Sequence, residues 1–297
     1  MASNIKNKQK IKDWGVGTVI IYFVMIVFAL VCLFPLLYEV LLSFASQKDY
    51  LSAKYIIIPR DFNFESYKYI LFQDRIGTAF LISVFVTVVG TLYTMIFNSI
   101  GAYILTKQRL PGKNIFFTFI IITMFFDGGL IPFYLVVKEL NMCNKLSALI
   151  IPFAVDTFNM ILLRNFFRQV PDEMIEACKI DGAGEIRILL QFVLPLSTAG
   201  LATIGMFTIV GKWNDWYWPL IFLTLRDELF PLALELRNVL TNTSTGGVVG
   251  GYVDMTKVFS QAQNAAMVVI SVLPIVILYP FMQKFLVKGV MMGSIKS

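Results

Sequence analysis

The chain has 297 residues, of which 57% are hydrophobic and 15% charged, with a net charge of +6 and a mean hydropathy of +0.73. A soluble domain carries about 25% charged residues, so an ordinary water-soluble globule is excluded. The basic residues flank apolar runs instead of sharing one face, which excludes a nucleic-acid surface. Three scattered cysteines without a Cys-x-x-Cys, and no histidine, leave neither a disulfide framework nor a histidine metal site.

About 20 apolar residues are needed for a helix to cross roughly 30 Å of hydrocarbon. In chain order, six stretches qualify, at about 14–41, 76–106, 114–137, 146–167, 196–225 and 258–284. The first is too long for a signal-peptide core and has no small-x-small cleavage site, so it reads as a retained helix. Nothing alternates at period two over ten residues, which excludes a β-barrel. The expectation is an all-α polytopic membrane protein with six transmembrane helices, forming a single domain over residues 1–297.

Orientation follows the lysines and arginines near the span ends. With the N-terminus in the cytoplasm, 14 of the 25 bases fall on inner segments and ten on outer ones, and Lys212 flanks the membrane. Both termini are therefore expected inside, with residues 168–195 as the longest inner loop. Residues 43–75 and 226–257 become the extracytoplasmic segments.

The inner loop "PDEMIEACKIDGAGEIRILLQFVLP" is unlike its surroundings, with five acids and two bases in 25 positions. Pro171 suits a first helical turn, and Asp172 and Glu173 favour the positive end of the helix dipole. Helical spacing sets Met174, Ala177, Cys178 and Asp181 roughly on one side. Gly182 suits a left-handed stop, and a second amphipathic segment runs to Pro195. From periodicity alone two readings stay open: a helix lying on the headgroups, or a docking helix for a cytoplasmic partner.

The spacing Glu176-Ala177-Cys178, three residues, Gly182, nine residues, Phe192-x-Leu194-Pro195 resembles the EAA loop of permease subunits of ABC importers. Cys178 stands for the second alanine of that pattern and Phe192 for its isoleucine. The runs "FFDGGLIPFYLVVKELNMCNKLSALIIPF", "WNDWYWPLIFL" and "KGVMMGSIKS" are similar to the carbohydrate branch, the maltose-permease class that includes an alginate importer's second permease. The likeness implies a type I importer fold and a second homologous permease. It also implies two cytoplasmic ATPases that bind ATP and magnesium, an extracytoplasmic solute-binding protein and a carbohydrate substrate. In such a permease, Glu176, Ala177, Cys178, Asp181, Gly182 and Pro195 would couple to the ATPase. The setting implied is the plasma membrane of a prokaryote. No GxxxxGK[ST] phosphate loop occurs, so no nucleotide cofactor and no catalytic role are expected of this chain.

For a sugar, the aromatic run is the first candidate. On a continuous helix Trp213, Trp216 and Tyr217 would share one face and Asn214 and Trp218 another, with Asp215 between them. Stacking on sugar C–H faces and an interfacial aromatic belt both fit. Acids within spans usually face protein or water. Asp127 opens "DGGLIP", where two glycines and Pro132 should break the helix, and Asp156 follows Pro152. Each either lines a pathway or serves structure. The Gly/Ser/Thr-rich stretch 240–254 reads as a loop, either a connector or, as the resemblance suggests, a reach into the binding protein's cleft. The alternatives for the whole chain are a permease for a non-sugar solute and an ion-coupled secondary carrier, which would show two matching halves.

Overall fold

The computed structural model describes residues 16–46, 59, 62–72, 74–107, 110–244 and 260–293, and these residues form helices and turns without a strand. Most of the 240–254 stretch lies outside the described residues. The chain divides into two compact units, Met1–Ser66 with Asp254–Ala266, and Tyr67–Val253 with Met267–Ser297.

In the first unit, α1 (Val16–Ser43) is apolar on every side except for Glu39 near its end. At 1.5 Å per residue its 28 residues are long enough to span hydrocarbon with some tilt. Phe44 packs its ring against Phe62 and Phe64, with centroids 5.9 and 5.3 Å away. Asn63 makes the turn into α2 (Glu65–Phe72), which runs from this unit into the second, its side-chain oxygen accepting from the Glu65 N–H at 2.8 Å.

The second unit is built around α3 (Asp74–Thr106). It continues through α4 (Lys113–Phe125), α5 (Leu130–Glu139), α6 (Thr157–Phe167), α7 (Asp172–Ile180) and α8 (Glu185–Leu196). Then follow α9 (Thr198–Trp213), α10 (Tyr217–Phe222), α11 (Leu232–Ser244) and the shared α12 (Ser260–Gly293). Among the described residues three single helices are long and apolar enough to cross a membrane. Three bent pairs bring the number to six: α4–α5 at 109°, Leu146–Phe153 with α6 at 48°, and α8–α9 at 85°.

Two of the bends have a plain local cause. At α4–α5, Gly129 adopts φ 86°, a region that disfavours side chains, and its N–H donates to the Asp127 carboxylate at 3.1 Å. In α8, Pro195 cannot donate to the carbonyl four residues back and its ring crowds it. The helix widens to π geometry over Leu189–Val193 just upstream, and turns at Ser197.

Two cores hold this unit. One, at the end carrying residues 168–195, joins Tyr103 and Leu105 of α3 to Leu163 and Phe167 of α6, and to Cys178, Ile188 and Val193. The other is aromatic: Trp218 stacks on Phe222 at 5.3 Å and meets Phe133 edge-on at 5.0 Å. Charges tie the helix ends. Arg164 donates from Nε to the Leu105 carbonyl at 3.0 Å, holding the C-terminus of α3. Arg75, at the head of α3, bonds Asp227 at 2.9 Å and Glu235 of α11 at 2.6 Å.

Candidate coupling loop and polar cavity

Helix α7 is short, and its ending is what fixes it. Gly182 takes φ 79°. The Gly182 N–H donates to the Lys179 carbonyl at 3.0 Å and the Ala183 N–H to the Cys178 carbonyl at 2.9 Å. Those two bonds together are a Schellman ending, and Ala183 adds the apolar contact that accompanies it by packing into the core with Cys178.

This packing sorts the residues that spacing had grouped. Cys178 is 7% exposed and points into the chain's own core beside Ile188 and Val193. Within this chain it therefore seats the helix. Glu176, Ala177, Asp181 and Gly182 are exposed, as is Pro195. Sequence reasoning missed two outward apolar residues, Ile180 at 87% and Ile186 at 76% exposure. Their only signal was an isoleucine on each side of the glycine turn in an otherwise polar stretch.

A polar clamp fastens the start of α8 to the end of α3. Glu185 accepts from Tyr103 Oη at 2.6 Å, pairs with Lys107, and takes Lys179 at 3.2 Å. Lys107 also donates to Tyr103 Oη at 2.5 Å and lies over its ring. Hydrogen bonding from Lys107 first, and then from Tyr103, holds the Glu185 carboxyl down at about 2. A carboxyl lowered by folding contributes stability above its ordinary range and loses it as pH falls through the folded value. The clamp therefore stays closed as pH falls through the ordinary carboxylate range and opens only near the folded value of about 2. Glu185 is half-exposed, so solvent screening limits its worth to about 1 kcal/mol. Glu185→Gln is expected to loosen the tie between α3 and α8, seen as faster protease cleavage within residues 168–195; cleavage at the wild-type rate would show that the clamp does not hold this segment.

At the opposite end of the unit, the aromatic run is not one helix. α9 stops at Trp213, Asn214 closes it, and α10 begins at Tyr217. The faces expected for a continuous helix therefore do not form. Asp215 makes the break, accepting from the Tyr217 and Trp218 N–H groups at 3.1 and 3.2 Å. Trp213 is buried, donating from Nε1 to the Ser271 carbonyl at 2.9 Å. Asn214 bonds its own helix at the Val210 carbonyl, and Trp216 lies under Arg237 at 4.5 Å. Trp216 and Tyr217 are exposed. Asp127 stays in its turn between α4 and α5.

Only part of the run reaches a cavity. A space of about 380 Å³ is lined by Asp215 and Trp218, with Asp156, Asn159, Phe153 and Lys212. Asp156 starts α6 as its cap, accepting from the Asn159 N–H at 2.8 Å. Its own N–H donates to the buried Asn98 side chain of α3 at 3.1 Å. In the sequence Lys212 is a membrane-flanking base three residues from Asp215, spaced to pair with it. What brings it inside is Gly90 of α3, which leaves room for its stem.

The family described as binding-protein-dependent transport system inner membrane component matches residues 113–292. Over 283 residues the chain is 37% identical to the polygalacturonan/rhamnogalacturonan transport system permease protein YtcP of Bacillus subtilis (strain 168), covering 93% of this chain and 97% of that protein. It is 36% identical to protein LplC of the same organism, over 90% of each. Its fold is similar, at a TM-score of 0.84 and 28% identity, to a chain in the crystal structure of a bacterial ABC transporter involved in the import of the acidic polysaccharide alginate. That match covers 92% of this chain and 97% of the other. With a helical body of long apolar spans and a glycine-terminated helix packed against its core, the chain belongs to the binding-protein-dependent inner-membrane transport components, the multi-pass, non-catalytic permease subunits of ABC importers.

Proposed function

We propose that this chain forms, with a second homologous permease, the path by which an ATP-driven importer takes up an oligosaccharide or polysaccharide fragment. In this reading both termini and residues 168–195 lie in the cytoplasm of a prokaryote, with residues 43–75 and 226–257 outside. The observation that carries this reading is α7: its Schellman ending and the burial of Cys178 hold it rigid while Glu176, Ala177 and Ile180 face outward. Only a rigid, firmly seated element transmits a two-state change from one subunit to another. ATP and magnesium bind the two partner ATPases, whose closure pulls on α7, and a solute-binding protein delivers substrate from outside. The saccharide class is supported by the transport named for YtcP and for the alginate importer.

The test is gentle affinity purification from native membranes, with mass spectrometry of what accompanies the chain. An ATPase and a second six-span permease are expected to co-purify. Glu176→Lys, which reverses an exposed charge on α7 without touching the core, is expected to shed the ATPase. A chain that comes out alone, or as a homo-oligomer, would end the importer reading and favour an ion-coupled carrier.

A further inference from the structure

The coupling loop leaves the polar cavity without a role. Its volume of about 380 Å³ is in the range of small-ligand sites, which are mostly apolar with a few converging polar groups. Its most unusual member is Lys212, on the last turn of α9. The lysine stem lies across Gly90, where a Cβ would come within 2.7 Å of Cδ. The ammonium ends 5.5 Å from the centre of the Phe153 ring, within Coulombic reach of Asp215 and Asp156. Among the described residues it makes neither a hydrogen bond nor an ion pair within 4 Å. An ammonium carries three donors, and holding one half-buried inside a membrane protein is costly unless acceptors meet it.

The two carboxylates complete the pattern. Asp156 bonds the Asn159 N–H, and Asp215 the Tyr217 and Trp218 N–H groups, in each case through Oδ1. Those bonds hold both groups in place and leave Oδ2 of each without a hydrogen bond among the described residues. The cavity thus presents the donors of one ammonium and two open acceptors beside Phe153 and Trp218. A sugar hydroxyl accepts and donates at once, so neighbouring hydroxyls can satisfy both kinds of group. A uronate carboxylate only accepts. It would meet Lys212, but it would also bring a third negative charge beside two fixed ones in a poorly solvated space.

We propose that this cavity is a sugar subsite in which Lys212, Asp156 and Asp215 grip the hydroxyls of one neutral sugar unit and turn a uronate unit away. The proposal rests on the oligosaccharide-import reading and sharpens it: where the chain resembles proteins named for acidic polysaccharides, this subsite selects by hydroxyls.

The permease–ATPase complex in nanodiscs, without binding protein, is titrated calorimetrically with two matched pairs, galactotriose against trigalacturonate and mannotriose against trimannuronate. The neutral member of at least one pair is expected to bind about tenfold or more tightly than its acid, the margin left by unpaired polar groups and like charges. Lys212→Met should abolish that binding, with ATPase co-purification retained as the check on folding. Gly90→Ala, which displaces the stem and keeps the charge, should weaken binding several-fold. Tighter binding of an acid, lost in Lys212→Met, would make this a uronate site and overturn the proposal. So would the absence of binding by all four probes, or neutral binding unchanged in Lys212→Met. A complex without an ATPase fails differently, because it removes the importer reading itself.

Discussion

Gly182→Val is expected to reduce ATP-dependent uptake by more than about tenfold while the chain still inserts and pairs. A side chain at this position meets nothing within 4 Å, so the effect is not crowding. It comes from the backbone, since φ 79° is left-handed and costs a β-branched residue about 2 kcal/mol or more. Relaxing that strain breaks the bonds from Gly182 to Lys179 and from Ala183 to Cys178, and α7 loses its fixed end. Gly182→Asn separates this cause from a general loss of fold, because asparagine tolerates the left-handed region. Uptake by whole cells should fall in the order glycine, asparagine, valine. A valine variant that transports normally would mean that the rigidity of α7 is not what couples.

The second large effect is on assembly. A Cβ at Gly200 would lie 2.4 Å from Phe166 Cγ and 2.7 Å from its Cβ, contacts with the base of the ring that no small rotation relieves. Gly200 lies in the first turn of α9, directly after the bend at Ser197, and Phe166 lies near the end of α6. Gly200→Val is therefore expected to cost about 3 kcal/mol through overpacking, and to be seen as a sharp drop in chain recovered from membranes. Phe166→Ala, which removes the ring, should restore much of that amount in the double variant. If the double variant is no better than Gly200→Val alone, the close approach of α9 to α6 is not the reason glycine is required.

What could be read beforehand was what depends on local spacing. Apolar runs longer than a bilayer is thick announce spans whatever their neighbours, and the interval from Glu176 through Gly182 to Pro195 announces a glycine-terminated helix followed by a proline bend. Phe-Phe-Asp-Gly-Gly announced a break, because Gly129 needs a conformation few other residues accept, but nothing in it sets the angle at 109°. Facing was harder. Met174, Ala177, Cys178 and Asp181 are neighbours by helical angle, yet Cys178 turns inward because Ile188 and Val193 return over it from α8. The end of α9 at Trp213 had no glycine or proline at the break to mark it. It depends on Asp215 capturing two N–H groups ahead of it. Pairings across long stretches of chain, such as Glu185 with Lys107, or Lys212 laid over Gly90, leave no mark in the local pattern.

The clamp at Glu185 also sets an order of events during synthesis. Tyr103, Lys107 and Lys179 all precede Glu185 in the chain, and so does the Arg164 that holds the end of α3. When the ribosome has made Glu185, every group that binds it already exists, while α9 to α12 have yet to be translated. Chains fold from the N-terminal side as they emerge, so α7 can be secured on a half-built subunit, and the last helices are then added beside an element already in place.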